Sequence, residues 1–483
     1  MFALDLLRSY FSAKTAPPPA DVHVIPCSGL DVAARDIILT TGLIINARLD
    51  VKKLEDSLTT LIKHKFPRAG ARLALRNGVY EYQVPQAFDS QTPAVIFTAE
   101  DFAEPYHSET RPDLPTHLEG SLPSVYSVPS AAFEVYLKSA KSPVSVEELL
   151  VPNTPLLHVH VAVFDDVTFI GLTSSHLLFD ALGTGELLRA WTRLLNGEDI
   201  DAIPGMEVDI APFESFTAPT ELKHQRGWFV LGLFGQLFFI LRFILRIFRD
   251  PKEQAYLIRV PKAFLQGSKR AIMENLQLQG STEWVGSSDV LLAWWFKSAY
   301  SYRSPSDTTP IHIHLAVNLR GKPIFPGDST LAGPYIHNAV SAIPIPAIPV
   351  NAFQKESLGE IALRIRRAIL AYNADLPGIK ADMQWRCANP LKTPLPCSAR
   401  GEYTFHSNWR SACLGDLDFS GASTSAEKVR VLLSLGYVVS AKSIPMRGAG
   451  ADLMEDADAI WMNQIRGVKD WENIRRSGSM VFL

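Results

Sequence analysis

"TFIGLTSSHLLFDALGTGELLRAW" (Thr168–Trp191) begins as an apolar strand, ends as an amphipathic helix, and places His176 and Asp180 at the join. A strand-to-helix junction projects side chains from a rigid support into a cleft, where binding and catalytic groups concentrate. An imidazole with a pKa near 6.5 is a competent general base at neutral pH. Spacing alone decides nothing: a chain with 12 histidines meets an HxxxD by chance in roughly half of cases at ordinary Asp usage. On these residues His176 is either a general base or a satisfied structural histidine. Asp180 is either part of the working site or a simple cap on the helix it precedes.

Working outward, "LLHVHVAVFDDV" supplies a partner for that strand, because two alternating runs flank Asp165 and Asp166 and predict a hairpin. Downstream, Leu182, Leu187, Leu188, Trp191 and Leu194 fall on roughly one side of the helix. In "DVKKLEDSLTTLIKHKF" (Asp50–Phe66), Val51, Leu54, Leu58, Leu61 and Ile62 recur at helical spacing, with Asp50 as cap and Pro67 as stop. "SSDVLLAWWFKSAY" (Ser287–Tyr300) reads as a capped, buried helix with Ser288 or Asp289 near its start. "IHIHLAVNL" reads as a strand, and "SLGEIALRIRRAILAYN" (Ser357–Asn373) as an amphipathic helix with a basic, solvated outer face. Mixed α and β signals in both halves of 483 residues predict two domains of α/β or α+β type with two sheets.

Apolar residues make up 47% of the chain and charged residues 20%, which places it among globular proteins. A formal net charge of −3 gives no electrostatic reason to expect nucleic acid. Cys27, Cys387, Cys397 and Cys413 have no metal or disulfide spacing and read as reduced thiols in a cytosol-facing protein. "MFALDLLRSYF" is a poor signal peptide, since Asp5 and Arg8 break its apolar run, and "TAPPPAD" (Thr15–Asp21) marks the start of the folded part. His158 with His160, and His312 with His314, sit at a spacing that metal sites use, yet no Cys or carboxylate cluster accompanies either pair, so no metal is expected. These faces instead are read as pointing toward the reaction tunnel.

"GWFVLGLFGQLFFILRFILRIF" (Gly227–Phe248) is the most hydrophobic stretch of the chain. Its uncharged part, Gly227 to Leu241, covers only about 22 Å as a helix, against roughly 30 Å of bilayer hydrocarbon. Extending it would bury Arg242 and Arg246, which is costly.

Five phrases, in order, resemble the BAHD acyltransferase superfamily, in particular its fungal secondary-metabolism branch. "LDVAARDIILTTGLIINARLDVKKLEDSLTTLIKHKFPRAGARL" (Leu30–Leu73) resembles its strand–helix opening, and "SSHLLFDALG" its HxxxD block. "SSDVLLAWWFKSA" is similar to its "ST.D.L.A..W" helix start. "AVNLRGK" followed by "LAGPYIHNAV" resembles its "vn.R" strand and "YfGN.v" loop, and "FHSNWRSACLGDLDFSGAS" its "tSW…DFGWG" region. Asp418 and Phe419 are followed by Ser420, Gly421 and Ala422, so the last motif departs from the family after two residues.

The resemblance implies two similar-fold domains of the chloramphenicol acetyltransferase-like α/β kind, each a mixed sheet with flanking helices, and an active site at their interface. The expected division is residues 1–197, a connection 198–256 that contains the apolar segment 227–248, and 257–483. It implies an acyl-CoA-dependent acyltransferase, with acetyl-CoA as the expected co-substrate, no permanently bound cofactor, and a hydrophobic natural-product hydroxyl as acceptor. His176 would be the base, and Asp180 would pair with Arg320 from the other half. Ser407 or Trp409 would face the oxyanion, Ser287, Ser288 and Asp289 would line the CoA tunnel, and Asp418 would be structural.

A bilayer-crossing segment 227–248 would put His176 and the Arg320 half in different compartments. The expectation is therefore a monotopic hairpin or an interfacial helix with snorkelling arginines, on a cytoplasmic monomer associated with the cytosolic face of an internal membrane. The alternative is a crossover helix covered by the protein itself. Rival functions are N-acylation, a carrier-protein acyl donor, and a catalytically silent binding protein. Carrier-dependent relatives usually carry a doubled histidine and a glycine after the Asp. Here Ser175 precedes His176 and Ala181 follows Asp180, which favours free CoA.

Overall fold

The computed structural model describes residues 21–115, 120–216, 224–389, 395–423, 428–438 and 446–483. The N-terminal "MFALDLLRSYF" and all of "TAPPPAD" before Asp21 lie outside the described residues.

The hairpin forms where the alternating runs predict it. His158–Val163 and Thr168–Ser175 pair antiparallel, and the Phe164 N–H closes the turn on the Val167 carbonyl at 2.8 Å. Every residue of both strands is buried, so they are central strands covered on both faces. They belong to a five-stranded sheet ordered Val431–Val438, Ile38–Ile45, Thr168–Ser175, His158–Val163, Ile96–Asp101. A second, eight-stranded sheet is ordered Val340–Pro349, Pro310–Asn318, Glu402–Asn408, Ala449–Glu455, Ala459–Gly467, Glu253–Pro261, Ser124–Pro129, Val481–Phe482.

Sheet membership cuts across the expected division at 197 and 257. Val431–Val438, from the second half of the chain, pairs antiparallel with Ile38–Ile45 of the first sheet. Ser124–Pro129, from the first half, pairs with Glu253–Pro261 and with Val481–Phe482 in the second. Each half therefore donates a strand to the other's sheet, and main-chain hydrogen bonds interlock them.

Val51–Lys65 is helical with Asp50 as its cap, the Asp50 carboxylate accepting the Lys53 N–H at 3.0 Å. Its buried stripe of Leu54, Leu58, Leu61 and Ile62 packs against the helix Ala181–Leu195. Trp191 of the latter is fully buried, donates its indole N–H to the Ser57 hydroxyl at 2.9 Å, and meets Phe419 edge-on. Phe419 brings in the segment that departs from the family pattern. The Asn196 side chain donates to the Asp418 carbonyl at 2.9 Å and accepts the Gly421 N–H at 2.8 Å. A Cβ on Gly421 would lie 1.9 Å from the Leu195 carbonyl oxygen, so only glycine permits this close docking.

Residues 227–248 split into a two-residue strand, Trp228–Phe229, and the helix Leu233–Arg249. The covered-crossover alternative fails: no residue of this helix is buried, and Phe234 and Phe248 are 86% and 78% exposed. Among the described residues no helix is long and apolar enough to cross a membrane.

The helix Ala181–Leu195 approaches the loop 335–339 so closely that a Cβ on Gly183 would sit 1.8 Å from the Ile336 carbonyl oxygen. Gly267, in the middle of the helix Lys262–Leu278, faces open space. Gly183→Ala is therefore expected to destabilise the protein by about 1–3 kcal/mol through overpacking. Gly267→Ala is expected to stabilise it by about 0.8–1 kcal/mol through helix propensity. Denaturant midpoints measure both, and equal shifts in one direction would contradict the packing described.

Candidate active site

Backbone regularity breaks at Ser175 because its hydroxyl takes over the turn. Ser175 Oγ donates to the Arg35 carbonyl at 2.7 Å and accepts the Leu177 N–H at 3.0 Å, while the His176 N–H reaches the Ile37 carbonyl at 2.7 Å. The three carbonyls that follow are each held by a side chain from elsewhere. Asn338 Nδ2 donates to the His176 carbonyl at 2.8 Å and to the Leu177 carbonyl at 3.2 Å. The Tyr82 hydroxyl donates to the Leu177 carbonyl at 2.9 Å, and His337 Nδ1 to the Leu178 carbonyl at 2.8 Å. Complete burial, with Arg68 nearby, pushes His337 down to about 3, so a neutral imidazole makes that bond. Asn338 is itself fixed by Asp31 Oδ1, which accepts its N–H at 3.1 Å and its Nδ2 at 3.0 Å.

Asp180 is both the helix cap and half of an ion pair. Oδ1 accepts the Gly183 N–H at 2.7 Å and Arg320 Nη2 at 2.9 Å. Oδ2 accepts Arg320 Nη1 at 2.9 Å and the Ala339 N–H at 3.0 Å. The pair is bidentate and withdrawn from solvent, with side-chain exposures of 7% and 14%. Arg320 spends its remaining donors on the Tyr335 carbonyl, at 2.8 and 3.0 Å, and the His337 carbonyl, at 2.8 Å. A carboxylate with four donors on two oxygens has no capacity left for acid–base work.

The His176 ring is different. It is half-buried, its Nδ1 is buried without a partner, and neither ring nitrogen has a hydrogen bond among the described residues. His158 likewise has neither ring nitrogen hydrogen-bonded, but it is buried, whereas the His176 ring is partly exposed. The backbone around it is pinned while the imidazole is left available.

The other expected site residues are placed less uniformly. Ser407 is half-buried on the strand Glu402–Asn408, with no side-chain hydrogen bond among the described residues. Trp409 is buried with its six-membered ring 2.5 Å from where a Gly436 Cβ would lie, a packing contact against the exchanged strand. Ser287 opens the helix Ser287–Ala299, and Ser288 Oγ accepts Arg410 Nη2 at 2.7 Å. Asp289 is buried, accepts the Gly286 N–H at 2.6 Å, and pairs with Arg366, whose Nε lies 2.7 Å away. Both contacts fall on Oδ2, while Oδ1 is buried without a hydrogen-bond partner among the described residues, and Arg366 is not part of a solvated face as expected. Asp418 accepts the Ser420 N–H at 2.9 Å. Sequence reasoning missed Tyr82, whose part in the loop comes only from tertiary placement, and gave no role to Asp31, His337 or Asn338, although it noted the phrases that contain them.

The paired histidines are sealed. His312 and His314 are covered by Phe229 and Trp228, with ring centroids 5.2 and 4.6 Å apart. Burial pushes both His158 and His314 down to about 4. Among the described residues no group of three or more His, Cys, Asp or Glu could hold a metal ion.

The family described as the Transferase family matches residues 137–427, more than half of the chain. The chain is 28% identical over 433 residues to acetyltransferase adrJ of Penicillium roqueforti, covering 86% of this chain and 85% of that one. It is 30% identical over 390 residues to acetyltransferase pyiB of Pyricularia grisea, covering 75% and 72%. Among solved structures, TRI101 of F. graminearum complexed with coenzyme A and T-2 mycotoxin superposes with a TM-score of 0.66 at 15% identity, covering 94% of this chain and 97% of that one.

Breaking a buried pair by removing one partner strands the other's charge. Arg320→Ala is expected to lower unfolding free energy by about 3–5 kcal/mol, read from the denaturant midpoint. A midpoint unchanged from wild type would contradict the role given to the pair.

Proposed function

The chain belongs to the Transferase family of acyl-CoA-dependent, BAHD-type acyltransferases, and on that premise we propose an acetyl transfer from acetyl-CoA to a hydroxyl of a hydrophobic natural product such as a terpenoid or polyketide. The observation that carries the mechanism is the His176 imidazole, unsatisfied on a loop whose carbonyls are all held. His176 takes the acceptor's hydroxyl proton as the oxygen attacks the thioester carbonyl. The C–O bond forms, the C–S bond breaks, and the same proton passes to the departing CoA thiolate. No covalent acyl-enzyme is needed, and base assistance of this kind is worth about 10²–10⁴-fold.

Asp180 and Arg320 act as positioning residues, since both are saturated by contacts that fix the loop. The Ser407 hydroxyl, free of other partners among the described residues, is the donor proposed for the oxyanion. Trp409 is given a packing role instead. At the CoA helix the half-buried Ser287 is the available side-chain donor, because Ser288 and Asp289 are engaged by arginines. The silent-scaffold reading loses its main support, because the departed segment still docks fully through Asp418 and Gly421. The named fungal relatives are acetyltransferases, which supports acetyl as the group transferred. We further propose that the exposed helix Leu233–Arg249 rests on a membrane surface, which suits an apolar acceptor.

The test is a panel of acyl-CoAs with hydroxylated terpenoids and polyketides, followed by CoA release and product mass. Acetyl-CoA is expected to give an acetylated product. It is also expected to raise stability by about 2.7 kcal/mol at 100 times its dissociation constant. Ser407→Ala is expected to lower kcat by about 10²-fold with stability little changed. Neither stabilisation nor turnover with any acyl-CoA would contradict the reading.

A further inference from the structure

The helix Leu233–Arg249 is amphipathic in the reverse of the ordinary sense. Leu233, Phe234, Leu237, Phe238, Leu241 and Phe248 face solvent, while Arg242 and Arg246 turn toward the protein and Arg249, though exposed, still lines the space beneath the helix. Arg242 Nη1 donates to the Ala399 carbonyl at 3.0 Å, and Arg246 Nη1 lies 3.7 Å from Glu402. A soluble surface buries the apolar face and wets the charges. This arrangement suits a surface whose outside is not water.

Beneath the helix is a cavity of about 380 Å³ lined by Arg242, Arg246, Arg249, Arg303, Arg447 and Lys469. Three acids share it, and each has a partner. Glu402 pairs with Arg303 at 3.2 Å, Asp250 lies 3.7 Å from Arg447, and Asp470 accepts the Tyr302 hydroxyl at 2.8 Å. Positive charge is left over. Arg242 bonds only a carbonyl, and Lys469 Nζ only the Arg249 carbonyl, at 2.5 Å. The Arg249 guanidinium has no partner among the described residues. Arg447, by contrast, is buried between Asp250 and Glu253, its Nε 3.6 Å from the Glu253 carboxylate, and adds nothing to the surplus. Guanidinium forks around an open, net-positive space match the geometry of a phosphate oxyanion.

We propose that this cavity receives the phosphate headgroup of an anionic glycerophospholipid whose acyl chains run past the helix into the leaflet on which it rests. An interfacial helix sinks its apolar face roughly 5–10 Å into the headgroup boundary and is itself about 10 Å across. Lipid phosphates then stand level with the underside of the helix, where the unpaired cations lie. The inference rests on the membrane reading above and adds a recognised lipid class to it.

The experiment floats the full chain with vesicles of phosphatidylcholine alone or of phosphatidylcholine carrying phosphatidic acid. Binding is expected to be at least tenfold stronger to the second. Arg249→Gln combined with Lys469→Gln is expected to weaken it about thirtyfold, the worth of roughly two basic contacts at an anionic surface, and reversal of both to Glu by more, without changing turnover of a soluble acceptor. Phe234→Ser with Phe248→Ser is expected to abolish binding to both vesicles while circular dichroism stays native. Equal binding to both vesicles, indifferent to the charge reversals, overturns the headgroup site and leaves the membrane reading standing. Binding to neither overturns both. Thermal stabilisation by free glycerol phosphate without vesicle binding assigns the cavity to a soluble anion and overturns the lipid. Self-association lost in the Phe234→Ser, Phe248→Ser protein, again without vesicle binding, assigns the apolar face to a second copy.

Discussion

The bidentate contact between Asp180 and Arg320 joins distant parts of the chain at the point where strand becomes helix. Arg320 follows the strand Pro310–Asn318 of the second sheet, and Asp180 caps the helix that leaves the first. Their remaining hydrogen-bonding capacity goes to the loop 335–339, which in turn grips the carbonyls of residues 176–178. Fixing the loop in the folded state means that no ordering is required when substrate arrives, which is the physical content of preorganisation.

Strand exchange enforces the same geometry on a larger scale. A sheet that borrows a strand from the other half of the chain cannot tilt against its neighbour without breaking main-chain ladders. The close docking of Gly183 on Ile336 and of Gly421 on Leu195 fills the remaining seams. Side chains at these positions would hold the two halves apart. The segment after Phe419 docks through Gly421 and the Asp418 carbonyl, both held by the Asn196 side chain.

Legibility in the sequence followed the range of the interaction. The hairpin around Asp165 and the helix after Asp50 depend on local periodicity and capping, and both form as read. The pairing of Asp180 with Arg320 was readable through resemblance. The choice between cap and ion pair for Asp180 dissolved because a carboxylate oxygen accepts more than one bond: Oδ1 takes both the Gly183 N–H and Arg320, and Oδ2 takes Arg320 again. The exchange of Ser124–Pro129 and Val431–Val438 was hidden, since periodicity says that a strand exists and not which sheet takes it. Asp289 looked available because Arg366 is remote in sequence, and Trp409 looked like a donor because its packing partner, Gly436, carries no side-chain signal. In the apolar segment the arginine spacing was visible, but the side facing the protein was not.

In the function we propose, the unpartnered, partly exposed His176 imidazole finds its partner in the acceptor hydroxyl. The most direct measurement is acetyl transfer by His176→Ala beside wild type, with acetyl-CoA binding followed in the same samples by thermal stabilisation. The account predicts equal stabilisation by acetyl-CoA in both proteins and a loss of turnover of about 10²–10⁴-fold in the variant. Turnover by His176→Ala at the wild-type rate would contradict it.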